Sequence, residues 1–163
     1  MIFLSTNLLT TFFGGDYDAG ADRGLAALKK GVPTVFIPGN IDFLVTGPLH
    51  IAQERFPGRP SHAHNAAITT IRTEESEVVS IANRLAGYCV EAKGPVSVVI
   101  PMKGFSAFDR EGGPFFDPSA VNAFVKTMQS KLPSSIPLHL VPYHINDPEF
   151  AHAVLEAHYA MMK

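Results

Sequence analysis

The stretch that most constrains this chain is VSVVIPMKGFSAFDREGGPFFDP, residues 96–118. It opens with a largely apolar, β-branched run, residues 96–100, the pattern of a strand buried on both faces. Pro101 stops the run. A polar, glycine-rich loop follows, carrying Lys103, Gly104, Ser106, Asp109, Gly112 and Gly113. It closes at Asp117-Pro118, a helix-start signal that pairs an N-cap carboxylate with proline at the first helical position. In open α/β sheets, ligands bind outside the carboxyl ends of the strands. Long loops in compact domains are usually functional or disordered. The loop is therefore where a site is expected.

The rest of the chain alternates in the same way. Residues 1–4 read as the end of a strand, 6–13 as a short helix, and 19–30 as a helix with Leu25 and Leu28 on its apolar side and Gly31 at its C′ position. Residues 32–37 form a strand, followed by a turn at Pro38-Gly39-Asn40, and a short helix is read near 49–56. Residues 61–71 contain a strand that places His62 and His64 on one face. Thr73 is expected to cap the next helix, whose apolar positions Val78, Ile81, Ala82, Leu85 and Cys89 recur at helical spacing. After the central strand and the Asp117 cap, Val121, Phe124, Val125, Met128 and Leu132 mark another helix. Residues 136–142 form a further strand. Asp147-Pro148 then starts a last helix with Phe150, Val154, Ala157 and Met161 inward. Strands alternating with helices imply parallel βαβ units. The expected fold is a single α/β domain over residues 1–163: a three-layer open parallel sheet of four to five strands with helices on both faces, Rossmann-like or flavodoxin-like.

Composition narrows the function classes. Net charge is −2, which gives no basic footprint for nucleic acid. One cysteine excludes an internal disulfide framework and a cysteine zinc site, and Cys89 falls on a helix's apolar stripe. The apolar N-terminus lacks a basic flank and is too short to span a bilayer. A cytoplasmic protein with no membrane association is the expectation.

Polar residues gather at the carboxyl ends of the expected strands: Gly39, Asn40 and Asp42; His64, Asn65, Arg72 and Thr73; Lys103, Gly104, Ser106 and Asp109; His144, Asn146 and Asp147. Arg72 and Lys103 suit phosphate or carboxylate oxygens, and the helix N-termini after Thr73, Asp117 and Asp147 would add N–H donors. Gly39, Asn40, Arg72, Gly104, Ser106 and Asn146 are expected to line one cleft. His64, Asp109 and His144 are the candidates for general acid or base. No metal site is assigned, since His62 and His64 would need converging partners in Asp109 or His144. A Ser106–His144–Asp109 triad lacks the G-x-S-x-G elbow, because Phe108 stands at the second glycine. Walker A and G-x-G-x-x-G sequences are absent.

Several motifs occur together in one order: PG-x-x-D at residues 38–42, HN at 64–65, RT-x-E at 72–75, P-x-KG-x-S-x-xD at 101–109, GG-x-F-x-DP at 112–118 and HINDP-x-FA at 144–151. Together they resemble the C-terminal half of the family of the tomato mosaic virus resistance protein, largely uncharacterised in bacteria and fungi. The resemblance implies a two-subdomain α/β protein with a nucleotide site, an ATP ligand and oligomeric assembly, and Mg2+ is expected beside the nucleotide. Where the family carries an acidic-and-threonine run, Asn-Phe-Gly and a proline, this chain has residues 2–7, Val45-Thr46-Gly47 and Ala66. The resemblance covers only the family's C-terminal half, so the N-terminal subdomain is expected to be absent. Three functional readings stand open: a nucleotide- or phosphate-binding domain, an enzyme acting on a small anionic metabolite, and a non-catalytic interaction domain. Residues 1–13, rich in Ile, Leu and Phe, are expected to pack on a second chain, either another copy or a protein supplying the N-terminal half.

Overall fold

The computed structural model describes residues 2–4, 12–17 and 24–162. In chain order the elements are β1 (Ile2–Leu4), α1 (Leu25–Lys29), β2 (Thr34–Ile37), β3 (Phe43–Thr46), α2 (Leu49–Arg55), β4 (Ser61–Ala63), β5 (Thr69–Arg72), α3 (Glu75–Val90), β6 (Val96–Pro101), α4 (Pro118–Lys131), β7 (Leu138–Val141) and α5 (Pro148–Ala160). Most of the helix expected at 6–13 and the first half of the one expected at 19–30 lie outside the described residues.

Strands β1, β2, β6 and β7 form a four-stranded parallel sheet in that spatial order. The expected parallel α/β sheet is present, and β6 is central and buried along its whole length. Its side chains alternate between two cores. Val96, Val98 and Ile100 face α3 and α4, meeting Val78, Ile81, Val121 and Phe124. Val99 faces the other way, with Val35, Ile37 and Val141, against Phe150, Val154 and Ala157 of α5. Cys89 lies in the first core, where burial pushes its thiol up to about 12. The described β1 pairs with β2 of its own chain, Phe3 opposite Phe36.

Local signals set several boundaries as expected. Helix α1 ends in a Schellman motif: Val32 N–H donates to the Ala27 carbonyl at 3.0 Å and Gly31 N–H to that of Leu28 at 3.0 Å. Gly31 supplies the left-handed residue, with φ 75°. Asp117 caps α4, its carboxylate accepting from Ser119 N at 3.0 Å and Ala120 N at 3.2 Å.

One component departs from the sequence reading. Residues 43–72 fold into a second, antiparallel sheet, ordered β3-β5-β4, with α2 packed on it. The single strand expected within 61–71 is a hairpin, and β3 follows the turn at Asn40. Thr73 does not cap α3. Its hydroxyl donates to the Ile41 carbonyl at 2.9 Å, while Glu74 takes the cap position and its N–H donates to Glu77 at 2.7 Å. The sheet stands on a small core of Leu44, Ala52 and Ile71, with Phe13 and Phe56 against it.

Candidate functional site

The loop after β6 is held by aromatic anchors on two sides. Phe105 is buried against Phe124 of α4, ring centroids 5.3 Å apart. Phe108 and Phe115 pack edge-to-face at 5.4 Å, and both meet Phe43 of β3, at 5.6 and 6.2 Å. His62 of β4 lies on Phe108 at 4.7 Å. Gly104 makes the tight first bend with φ 124°; a Cβ there would meet the Asp109 carbonyl oxygen at 1.7 Å. No residue with a side chain fits.

Beneath the loop lies a buried polar network. Ser106 Oγ donates to Asp42 Oδ2 at 2.6 Å, and the other Asp42 oxygen is buried without a hydrogen bond among the described residues. Burial pushes the Asp42 carboxyl up to about 7, with the neighbouring Asp109 charge adding to the rise against the Ser106 and Arg72 contributions. Asp109 is also raised by burial, although its oxygens accept from Phe105 N at 3.0 Å and Asp117 N at 3.3 Å. Arg72 runs through this layer. Its Nη1 donates to the Asp42 carbonyl at 2.9 Å and to Thr73 Oγ1 at 3.0 Å, and its Nη2 lies 3.4 Å from Asp117 Oδ2. Burial alone would raise Asp117, but the hydrogen bonds from Ser119 and Ala120 and the Arg72 charge lower it overall.

His144, after β7, closes over the same loop. Its Nε2 lies 2.8 Å from the Ser106 carbonyl, which can only accept, so Nε2 carries the proton. Nδ1 is then the acceptor, taking Asn146 N–H at 3.2 Å with Arg110 Nη2 at 3.5 Å. Asp147 Oδ2 accepts from His144 N at 2.8 Å instead of capping α5. The two loops are also joined through the backbone, Ile145 N to the Gly104 carbonyl at 3.3 Å and Lys103 N to that of Tyr143 at 3.2 Å.

From β6 the chain leaves to α4 on one face of the sheet, and from β7 to α5 on the other. Adjacent parallel strands whose connections part in this way open a crevice between their carboxyl ends. A cleft of about 490 Å3 lies there, lined by Lys103, Gly104, Asp109, His144 and Asp147. Arg110, Glu111, Met102 and Phe116 also line it. The sequence reading did not single these out; the only sequence signal for the first two was their place in the loop beside Asp109.

The remaining expected residues lie elsewhere. Asn40 and Asn146 border a separate depression of about 490 Å3 beside α5, lined also by Phe105. Gly39 is buried in its turn, donating to the Ile37 carbonyl at 3.0 Å. Asp42, Arg72, Thr73 and Ser106 are buried beneath the loop. His64 and Asn65 are exposed on the β4–β5 turn, where both N–H groups reach the Ile68 carbonyl at 2.9 and 3.2 Å. The six residues expected to share a cleft are thus divided, and Arg72 is buried among internal contacts, its Nη2 without a hydrogen bond among the described residues. Ser106 Oγ faces Asp42, and His144 meets the Ser106 carbonyl, an arrangement that is not a nucleophilic triad. The Ser119 and Ala120 N–H groups at the start of α4 are taken by Asp117.

No helix among the described residues is long and apolar enough to cross a membrane. The model of the C-terminal domain of the uncharacterised protein family UPF0261 matches residues 3–162. A UPF0261 protein of Rhizobium meliloti is 33% identical over 156 residues, covering 94% of this chain and 39% of the relative. One from Brucella melitensis is 32% identical over 142 residues, covering 87% and 34%. The ToMV resistance protein Tm-1(GCR237) of Solanum lycopersicum is 32% identical over 155 residues, covering 94% and 21%. The chain spans under two-fifths of the length of these relatives. It belongs to the UPF0261 family and corresponds to that family's C-terminal domain.

Proposed function

We propose that this domain binds a small phosphate-bearing ligand, with nucleotides as the class to test first, in the crevice between the ends of β6 and β7. The observation that carries the reading is the parting of α4 and α5 to opposite faces above two adjacent parallel strands, with Lys103 and Arg110 on the cleft that results. Arg110 offers a forked donor set and Lys103 a mobile point charge, the two cation types that hold phosphate oxygens. Among the described residues no three metal-ligating side chains converge. A Mg2+ ion would therefore arrive with the phosphates, with Glu111 and Asp147 as the cleft carboxylates nearest in kind to its preferences. The hydrogen-bonded states of Asp109 and His144 favour binding over acid–base catalysis.

Calorimetric titration with ATP, with and without Mg2+, tests the reading. Lys103→Ala should weaken binding about tenfold or more, as expected for loss of a charge-assisted contact. Absence of heat with wild type, or affinity indifferent to both Lys103→Ala and Arg110→Ala, would remove it. Assembly with a second copy belongs to the same proposal. Sedimentation at low micromolar concentration as a lone 17.6 kDa chain would dismiss that part.

A further inference from the structure

The crevice has two kinds of wall. Lys103 and Arg110 present nitrogen donors beside the carboxylates of Asp109, Glu111 and Asp147, while Met102, Phe116 and Val121 present apolar surface. Phe116 is the unusual member. Its neighbour Phe115 is 1% exposed inside the aromatic cluster, whereas Phe116 is 44% exposed. The two rings are adjacent in sequence, so anchoring one fixes where the other is displayed. The anchoring is firm: Phe115 packs on Phe43 and Phe108, and Phe115 N–H donates to the Phe108 carbonyl at 3.2 Å. Behind Phe116 the chain is tied by Asp117, whose N–H donates to Asp109 and whose carboxylate caps α4. The loop thus holds an aromatic ring at the cleft when burying it would be more favourable by the usual hydrophobic measure. An inorganic anion would use only the nitrogen wall and leave this ring in water.

We infer that the ligand of this crevice carries an aromatic ring beside its phosphate group, and that Phe116 is the surface on which that ring packs. The inference rests on the phosphate-binding reading above and makes Phe116 the residue that separates aryl from alkyl phosphates. Stacked and edge-to-face rings gain beyond simple area burial, so an aryl group should be preferred over a methyl group at this position.

The test uses phenyl phosphate and methyl phosphate as probes, followed by ligand-detected NMR, on wild type, Phe116→Ala, Phe116→Tyr and Lys103→Ala. Phe116 is half exposed, so its replacement leaves the cores intact. The expected result is phenyl phosphate binding about tenfold tighter than methyl phosphate, with the preference lost in Phe116→Ala and kept in Phe116→Tyr. Methyl phosphate affinity should be the same in wild type and Phe116→Ala, and both probes should weaken in Lys103→Ala. Equal affinity of wild type for the two probes, or a preference that survives Phe116→Ala, overturns the aromatic subsite while leaving the phosphate site standing. Failure of both probes to bind wild type overturns the phosphate reading and the subsite with it.

Discussion

All six residues of β6 are buried, and five of them are apolar: Val96, Val98, Val99, Ile100 and Pro101. All four residues of β5 are buried as well, yet they read Thr-Thr-Ile-Arg. The first strand is held by side chains interchangeable with others of similar size, packed between two helical layers. The second is held by partners that cannot be exchanged: Arg72 on the Asp42 carbonyl, Thr73 on the Ile41 carbonyl, and the Arg59 guanidinium on the Arg72 carbonyl. Apolar packing is non-directional and tolerates repacking. Buried hydrogen-bonded charges are directional, and removing one partner leaves the other stranded. The difference suits the two positions. The parallel sheet is the platform, while the antiparallel sheet is bolted to the underside of the crevice loop and fixes its shape.

The largest effect that could break this comparison lies in the platform. Phe124→Ala removes a fully buried ring packed against Phe105 and should destabilise the domain by about 3–5 kcal/mol. Leu44→Ala, in the small core of the antiparallel sheet, should cost less, about 2–3 kcal/mol, because fewer neighbours lose contact. Urea unfolding monitored by circular dichroism measures both. A Leu44→Ala cost equal to that of Phe124→Ala would show that the two sheets share one core.

Next comes Arg72. Arg72 is 6% exposed, so Arg72→Ala should act on stability rather than on ligand contact. The loss should be about 2–4 kcal/mol, because the Asp42 carbonyl loses a buried donor and Asp117 a neighbouring positive charge. Unchanged melting together with a large drop in ATP affinity would instead place Arg72 at the ligand.

Asp42 gives the comparison a pH dependence. Its carboxyl sits near 7 when folded, against an ordinary value of 3.8, because burial disfavours the charge. Between those values the folded state keeps a proton that the unfolded state has lost. The stabilisation is full below about pH 4 and is lost as pH rises toward 7. Asp42→Asn carries no such proton and should lack that slope. Relative to wild type, the variant should gain on the order of 4 kcal/mol between pH 4 and pH 8. Asp109, also raised, shifts stability in the same direction in both proteins. Parallel urea curves for the two proteins at both pH values would sink the assignment of a buried neutral acid at Asp42.

The same contrast decides how much the sequence could show. The β6 run and the Asp117-Pro118 start were readable because their signals are local: an apolar stretch needs burial whatever surrounds it, and aspartate before proline carries its own cap chemistry. Lys103, Gly104, Asp109, His144 and Asp147 could be placed near one another because loops after parallel strands share an edge. Strand β3 was unreadable because it is four residues long and finds its partner across an intervening helix and hairpin, Phe43 opposite Arg72. Thr73 looked like a cap because threonine commonly is one, but the Ile41 carbonyl, distant in sequence, claimed its hydroxyl. Phe115 and Phe116 are chemically identical neighbours. Which is buried and which is displayed follows from the loop's anchoring on β3, a tertiary fact with no counterpart in composition or period.

The smallest expected effect sharpens the comparison within the antiparallel unit itself, which carries two arginine–carboxylate ties at different depths. Arg59 pairs with Glu77 at 2.6 Å, each side chain 14% exposed, and its guanidinium also holds the Arg72 carbonyl. Glu77 in turn accepts the Glu74 N–H at the start of α3, so the pair links the sheet to a helix of the platform. Arg55 pairs with Asp16 at 2.7 Å, but the side chains are 38% and 39% exposed. Water and salt screen the outer pair more strongly than the inner one. Double-mutant cycles should therefore give a coupling of about 1–2 kcal/mol for Arg59–Glu77 and about 0.2–1 kcal/mol for Arg55–Asp16. Raising NaCl from 0.1 to 1 M should erase most of the outer coupling while leaving the greater part of the inner one. If the outer pair couples as strongly as the inner and both fade equally with salt, depth does not govern the ties.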